Sequence, residues 1–246
     1  MNVVTLVGAH TRAMLTDLKR TPGYVIPTLA FPTMFFAIFA LPYAHTAAIA
    51  DSEMLSYMAF AIIGVTLFQF GVGIAAERGR PWERYLRTLP CPPAVRFVAR
   101  TGCAMAFGLA AAALVALVAR IFTPLDFNAL QWLQLIGYAF VGGIPFVLFG
   151  ITIGYWVSAR AAIPVANICY LLLSFAGGLW IPPQYLPGFA ARISPYLPTR
   201  QFGELLWSIK APGHVGQALI VLAAYTVFFA ALASVGYRRD ERTRYA

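Results

Sequence analysis

The chain has 246 residues, 60% of them hydrophobic and only 11% charged, with a formal net charge of +9. Six stretches without Asp, Glu, Lys or Arg consume most of that length, so no folded water-soluble domain is expected among these residues and any catalytic or energy-coupling domain is expected on a separate polypeptide. The excess positive charge alternates by loop, so it reads as a membrane topology signal and excludes a nucleic-acid surface.

Those stretches are Thr21–Ala50, Met54–Ala76, Thr101–Ala119, Phe127–Ala159, Ala161–Ala191 and Ala211–Tyr237. Crossing a bilayer core takes roughly 20 helical residues, and none of the stretches offers the polar face that a water-soluble helix needs. The expectation is an all-α integral membrane protein with six transmembrane helices.

Residues 3–20 come first, with Val4, Val7, Met14, Leu15 and Leu18 spaced among Arg12, Asp17, Lys19 and Arg20. That pattern predicts an amphipathic interfacial helix with its cations near anionic headgroups. Thr21-Pro22-Gly23 then turns the chain into the membrane. The basic start, the apolar run and Ala48-Ile49-Ala50 imitate a signal peptide, but cleavage there would remove about 50 residues where 15–30 are usual, so the segment reads as an uncleaved first span.

The spans are expected at about 24–42, 55–76, 97–119, 132–157, 162–180 and 215–237, with Pro27 and Pro32 loosening the first. Basic residues on the loops of one side are Arg12, Lys19, Arg20, Arg78, Arg80, Arg84, Arg87, Arg96, Arg100, Arg160, Arg238, Arg239, Arg242 and Arg244; the other side has Arg120, Arg192, Arg200 and Lys210. Fourteen against four predicts both termini in the cytoplasm.

The membrane interior offers little chemistry. Gln69, Asn167 and Ser174 are candidate polar residues of a pathway, and Thr66 and Thr152 suit helix–helix hydrogen bonds. Between the headgroup regions no Asp, Glu, Lys, Arg or His is expected, and Cys169 and Ser174 have no histidine or carboxylate beside them, whereas ion-coupled transport and intramembrane hydrolysis need such groups. Cys91, Cys103 and Cys169 form no disulfide framework, and His10, His45 and His214 have no ligand spacing, so no metal site is expected. Gly150-x-x-x-Gly154 is a small-residue packing motif.

Two connecting segments stand apart. The loop at 77–96 lies between spans two and three and predicts a short helix over 81–89, with Trp82, Tyr85, Leu86 and Leu89 apolar and Glu83, Arg84 and Arg87 polar. Tied directly to two spans, such a helix can enter a groove on a partner and transmit its displacement; the plainer alternative is a basic loop on anionic lipid. The segment 181–210 is too aromatic for a free loop and too rich in proline to span. It predicts two short helices, near Pro187–Ile193 and Thr199–Ile209, the second with Phe202, Leu205, Leu206 and Ile209 on one face and Arg200, Glu204 and Ser208 on the other. These helices either re-enter the outer leaflet or lie in its interface.

The order Glu77, Arg78, Gly79, Glu83, Leu86, Leu89 and Pro90 resembles the loop after the second span in the ABC type-2 permease family, the transmembrane subunits of bacterial ABC exporters. Arg80 and Pro81 replace the family's small hydroxyl residue after the glycine. Gly178-Leu179-Trp180-Ile181-Pro182, Leu186-Pro187, Ser194-Pro195 and Pro198 resemble its external re-entrant segment, and the resemblance covers the whole chain.

It implies a single transmembrane domain over 1–246 in the bacterial inner membrane. Glu77, Arg78, Gly79, Trp82, Glu83, Tyr85, Leu86, Leu89 and Pro90 would couple to a cytoplasmic ABC ATPase. Trp180, Pro182, Pro187, Phe202, Leu205 and Leu206 would form the external gate. No G-x-x-x-x-G-K-[ST] occurs in the chain, so it is expected to be no enzyme and to hold no cofactor, with ATP and magnesium bound by the partner. A second permease, copy or relative, and membrane lipids complete the implied assembly. The cargo implied is amphipathic: drug-like, as in multidrug efflux, or a lipid or glycolipid. Two alternatives stay open, a polysaccharide exporter and a non-transporting scaffold or sensor subunit.

Overall fold

A computed structural model describes residues 3–79 and 93–245, and among them every regular element is helical. Six helices are long and apolar enough to cross a membrane. Helix α1 (Val3–Arg20) precedes them and packs on the third span, with Leu6, Val7, His10 and Met14 half-buried and Arg12 and Leu15 exposed.

The first span is α2 (Pro22–Phe35), which runs through Pro27 and Pro32 and continues as a π-turn over Phe36–Ala40. The second is α3 (Ala47–Thr66), a wider π-type stretch over Leu67–Val72, and α4 (Gly73–Glu77). Then follow α5 (Pro93–Phe122), α6 (Ala129–Trp156), α7 (Ala159–Ala176), the short α8 (Gly188–Ile193) and α9 (Pro198–Trp207), and finally α10 (Val215–Tyr245).

Several boundaries lie away from where loss of charge alone would put them, and the caps explain why. Thr46 accepts a hydrogen bond from the Ile49 amide, so α3 starts eight residues before Leu55 and carries Asp51 and Glu53 in its opening turns. Asn128 and Gln131 form a reciprocal capping box that starts α6 at Ala129. Helix α7 stops at Ala176, short of Trp180, because Gly177 and then Gly178, at φ +80°, turn the chain away. Two residues, Val157 and Ser158, join α6 to α7.

Helix α3 is the axis of the molecule. Almost every side chain from Met54 to Leu67 is buried, whereas the first, fifth and sixth spans bury only a minor share of theirs. Phe60 sits at the centre, stacked on Tyr170 at 4.3 Å and edge-on to Trp180 at 5.4 Å, while the Tyr170 hydroxyl donates to the Phe60 carbonyl at 3.0 Å. The Gly150-x-x-x-Gly154 motif lets α6 approach the lower half of that axis. A β-carbon at Gly150 would lie 2.8 Å from the Thr66 carbonyl oxygen, and one at Gly154 would lie 2.9 Å from that of Phe70. Neither obstacle is a side chain that could swing aside, so the contact requires glycine.

Candidate functional site

Charged side chains gather at the two ends of this bundle, and each end ties together spans that are distant in sequence. At the end that carries the chain termini, α4 finishes in Glu77 and is capped by Arg78. The Arg78 guanidinium donates from Nη1 to the Tyr155 carbonyl at 2.6 Å and from Nη2 to the Val157 carbonyl at 2.8 Å. These are terminal carbonyls of α6, which lack helical donors and carry the negative end of its dipole. Arg78 also pairs with Asp240 of α10 at 3.3 Å. Glu77 pairs with Arg100 of α5. The last two residues of the second span thereby grip the third, fourth and sixth spans together.

Gly79 follows, exposed. Trp82, Glu83, Tyr85, Leu86, Leu89 and Pro90, together with the helix expected over 81–89, lie outside the described residues.

A groove of about 700 Å³ opens beside this junction between α5, α6 and α10. Its walls are chiefly apolar, including Phe97, Phe140, Val147 and Ile151, and it ends at Tyr237, Arg238 and Glu241.

At the opposite end, Lys210 reaches Asp51 at 2.9 Å and Asp126 at 3.7 Å, and donates as well to the Asp126 backbone carbonyl. The Asp126 amide donates to Asp51 at 3.2 Å. Asp51 is 1% exposed, so its charge is matched almost wholly by Lys210 and that amide. This cluster closes the 181–210 segment onto the second span and the loop after the third. It escapes a reading by sequence distance, since 159 positions separate the pair. The one available signal is the scarcity of charges on that side.

The segment itself is packed into the bundle. Phe202, Leu205 and Leu206 are fully buried, and the Phe202 ring occupies the space left by Gly142, where a β-carbon would fall 2.2 Å from the ring. Thr199 donates to the Leu173 carbonyl at 2.6 Å, and the Trp207 indole donates to the Ser56 hydroxyl at 2.9 Å. Trp180 and Pro182 are half-buried, and Pro187 is exposed. Arg200 pairs with Glu204 one turn along and lies over the Trp207 ring at 5.5 Å. Phe202, Leu205 and Leu206 are therefore core residues as much as gate candidates, so a charge placed on any of them would disturb folding before it reported on a gate.

The three polar candidates for a pathway do not converge. Gln69 is half-buried within the π-type stretch, Asn167 is exposed on α7, and Ser174 is fully buried; none lines the groove or the pocket described below. Thr152 bridges spans four and six by donating to the Phe229 carbonyl at 3.3 Å.

The sequence pattern of the ABC-2 type transporter family matches residues 5–210. The chain belongs to that family. It is also similar to the Bacillus subtilis (strain 168) protein titled "Putative transport permease YvfS", at 23% identity over 234 residues, covering 93% of this chain and 96% of the relative. This chain is thus a multi-pass transmembrane transport subunit of the ABC-2 type, a family of membrane permeases that are not themselves catalytic.

Proposed function

We propose that this permease is one of two membrane subunits of an ATP-driven exporter in the bacterial inner membrane, moving an amphipathic cargo such as a drug-like molecule, lipid or glycolipid. Both termini and the 77–96 loop face the cytoplasm, where a separate ABC ATPase binds ATP and magnesium and presses on that loop. The observation that carries this reading is the grip of Arg78. A loop pushed by a partner delivers useful work only if its base is rigidly joined to the elements that must move. Here the base holds the ends of α6 and α10 through three hydrogen bonds, and Glu77 holds α5.

Trp82, Tyr85 and Leu86 serve as anchors in the ATPase groove, with Glu83 as their polar partner. The 181–210 segment caps the exit. The second permease covers the first and fifth spans, which bury the least in the single chain together with the sixth. Ile26, Met34 and Ile38 on one, and Ile163, Ile168 and Leu172 on the other, present large apolar side chains outward.

The test is purification of the tagged permease and identification of any ABC ATPase that co-purifies, followed by reconstitution and assay of amphipathic fluorophores and labelled lipids. ATP-dependent movement out of the compartment that holds the ATPase is expected. Stable association without movement of any tested cargo would favour the scaffold or sensor reading, and no ATPase association would overturn the proposal.

A further inference from the structure

A pocket of about 410 Å³ opens at the end of the bundle that carries Lys210, between the first two turns of α3, the turn at 178–184 and helix α9. Its charged lining consists of Glu53, Arg200 and Glu204. Arg200 and Glu204 neutralise each other: Nε of the arginine donates to the glutamate at 2.7 Å, and its guanidinium also covers the Trp207 ring. The neighbouring Asp51 is occupied by Lys210. Ser56 donates to the Ser52 carbonyl at 3.0 Å and accepts from Trp207. Of the three charged lining residues, Glu53 is the one with no partner among the described residues. It is half-buried, and its carboxylate has neither hydrogen bond nor ion pair among the described residues.

A half-buried carboxyl group facing a cavity without a cation keeps its charge only at a cost, and a cation brought into the cavity removes that cost. The rest of the lining fits an occupant that supplies the cation on an apolar body. Ile49, Leu179, Pro182 and Pro183 provide the apolar walls, and Gln184 stands exposed at the mouth. An anionic group would meet Glu53 directly and find Arg200 already engaged.

We propose that this pocket binds a primary ammonium group, with Glu53 as its counter-ion and the Leu179–Pro183 wall against its hydrocarbon portion. The ammonium comes either from the headgroup of a phosphatidylethanolamine in the adjacent leaflet or from a soluble amphipathic amine. The proposal gives the transport reading a cargo chemistry, yet binding itself needs neither ATPase nor transport, so either can fail without the other.

The experiment uses the full-length permease in phosphatidylcholine nanodiscs, titrated with decylamine and, as the neutral control, 1-decanol, while the melting temperature is followed. Decylamine should raise the melting temperature of the wild type more than decanol does. Glu53→Gln should weaken that effect about ten-fold or more, the loss expected for one charge-assisted contact. Gln184→Glu, an exposed change that leaves packing intact, should strengthen it, which keeps the test usable if Glu53→Gln fails to fold. If nanodiscs containing phosphatidylethanolamine already raise the wild-type melting temperature and abolish the decylamine response, the lipid is the source. If the lipid makes no difference, the source is the soluble amine. Equal responses to decylamine and decanol, an unaltered response in Glu53→Gln, or no strengthening in Gln184→Glu would overturn the proposal.

Discussion

Arg78 and Asp240 offer an asymmetric perturbation. The arginine side chain is 13% exposed and the aspartate 5%. Arg78→Met takes the guanidinium from the Asp240 carboxylate and the donors from the Tyr155 and Val157 carbonyls in one step. Removing one partner of a buried pair costs about 3–5 kcal/mol. Asp240→Asn leaves an amide oxygen that still accepts from Nη1, and both helix-end carbonyls keep their donors. Its expected cost is about 1 kcal/mol, in the range of one exchanged hydrogen bond. The two single variants should therefore differ by about 2 kcal/mol or more. The double variant should cost less than the sum of the two single variants, since both changes act on one interaction. Reversible unfolding of the purified permease in mixed micelles, by denaturant titration of all four proteins, reads these differences directly. Equal costs for the two single variants, or a larger cost for Asp240→Asn, would show that the helix-end carbonyls do not hold Arg78 and would remove the mechanical argument for the loop's base.

Three further outcomes are expected. Single cysteines at Asn2 and Thr243 should resist an impermeant thiol reagent in intact cells while one at Gly188 is labelled; the reverse pattern would invert the proposed orientation. Gly142→Ala should destabilise the permease by about 1–3 kcal/mol as the new methyl meets the Phe202 ring, and adding Phe202→Leu should restore part of that, as unfolding of both variants would reveal. Tyr85→Ala and Glu83→Arg should reduce ATPase co-purification and uncouple hydrolysis from transport with cargo affinity unchanged, an aromatic anchor contributing about 2 kcal/mol or more; wild-type values for both would move the contact to α1 or to 158–161.

The six spans were legible because in a bilayer a single physical quantity, the absence of charge over a sufficient length, dominates. The apolar face of α9 was legible for the related reason that Phe202, Leu205 and Leu206 repeat at helical spacing, and all three are fully buried. What charge could not mark were the ends. Thr46 and the Asn128–Gln131 pair set helix starts by local hydrogen bonds, and these residues look no different in a sequence from polar loop residues. The depth of α3 was equally hidden, since its hydropathy resembles that of the other spans and only packing decides which of several apolar helices becomes the axis.

The early start of α3 has the largest consequence. A sequence reading that begins the second charge-free stretch at Met54 leaves Asp51 and Glu53 in a loop, where each would be solvated and unremarkable. The helix instead fixes both on its opening turns, two residues apart and hence pointing in different directions. Asp51 turns inward and is closed off by Lys210 and the Asp126 amide. Glu53 turns toward the pocket beneath α9, where among the described residues no cation pairs with it, Arg200 being held by Glu204. One carboxylate fastens the 181–210 segment to the bundle, while the other leaves charge exposed to whatever enters below that segment. The division follows from helical geometry acting on neighbouring residues of the same chemistry, which is why neither role can be read from residue type alone.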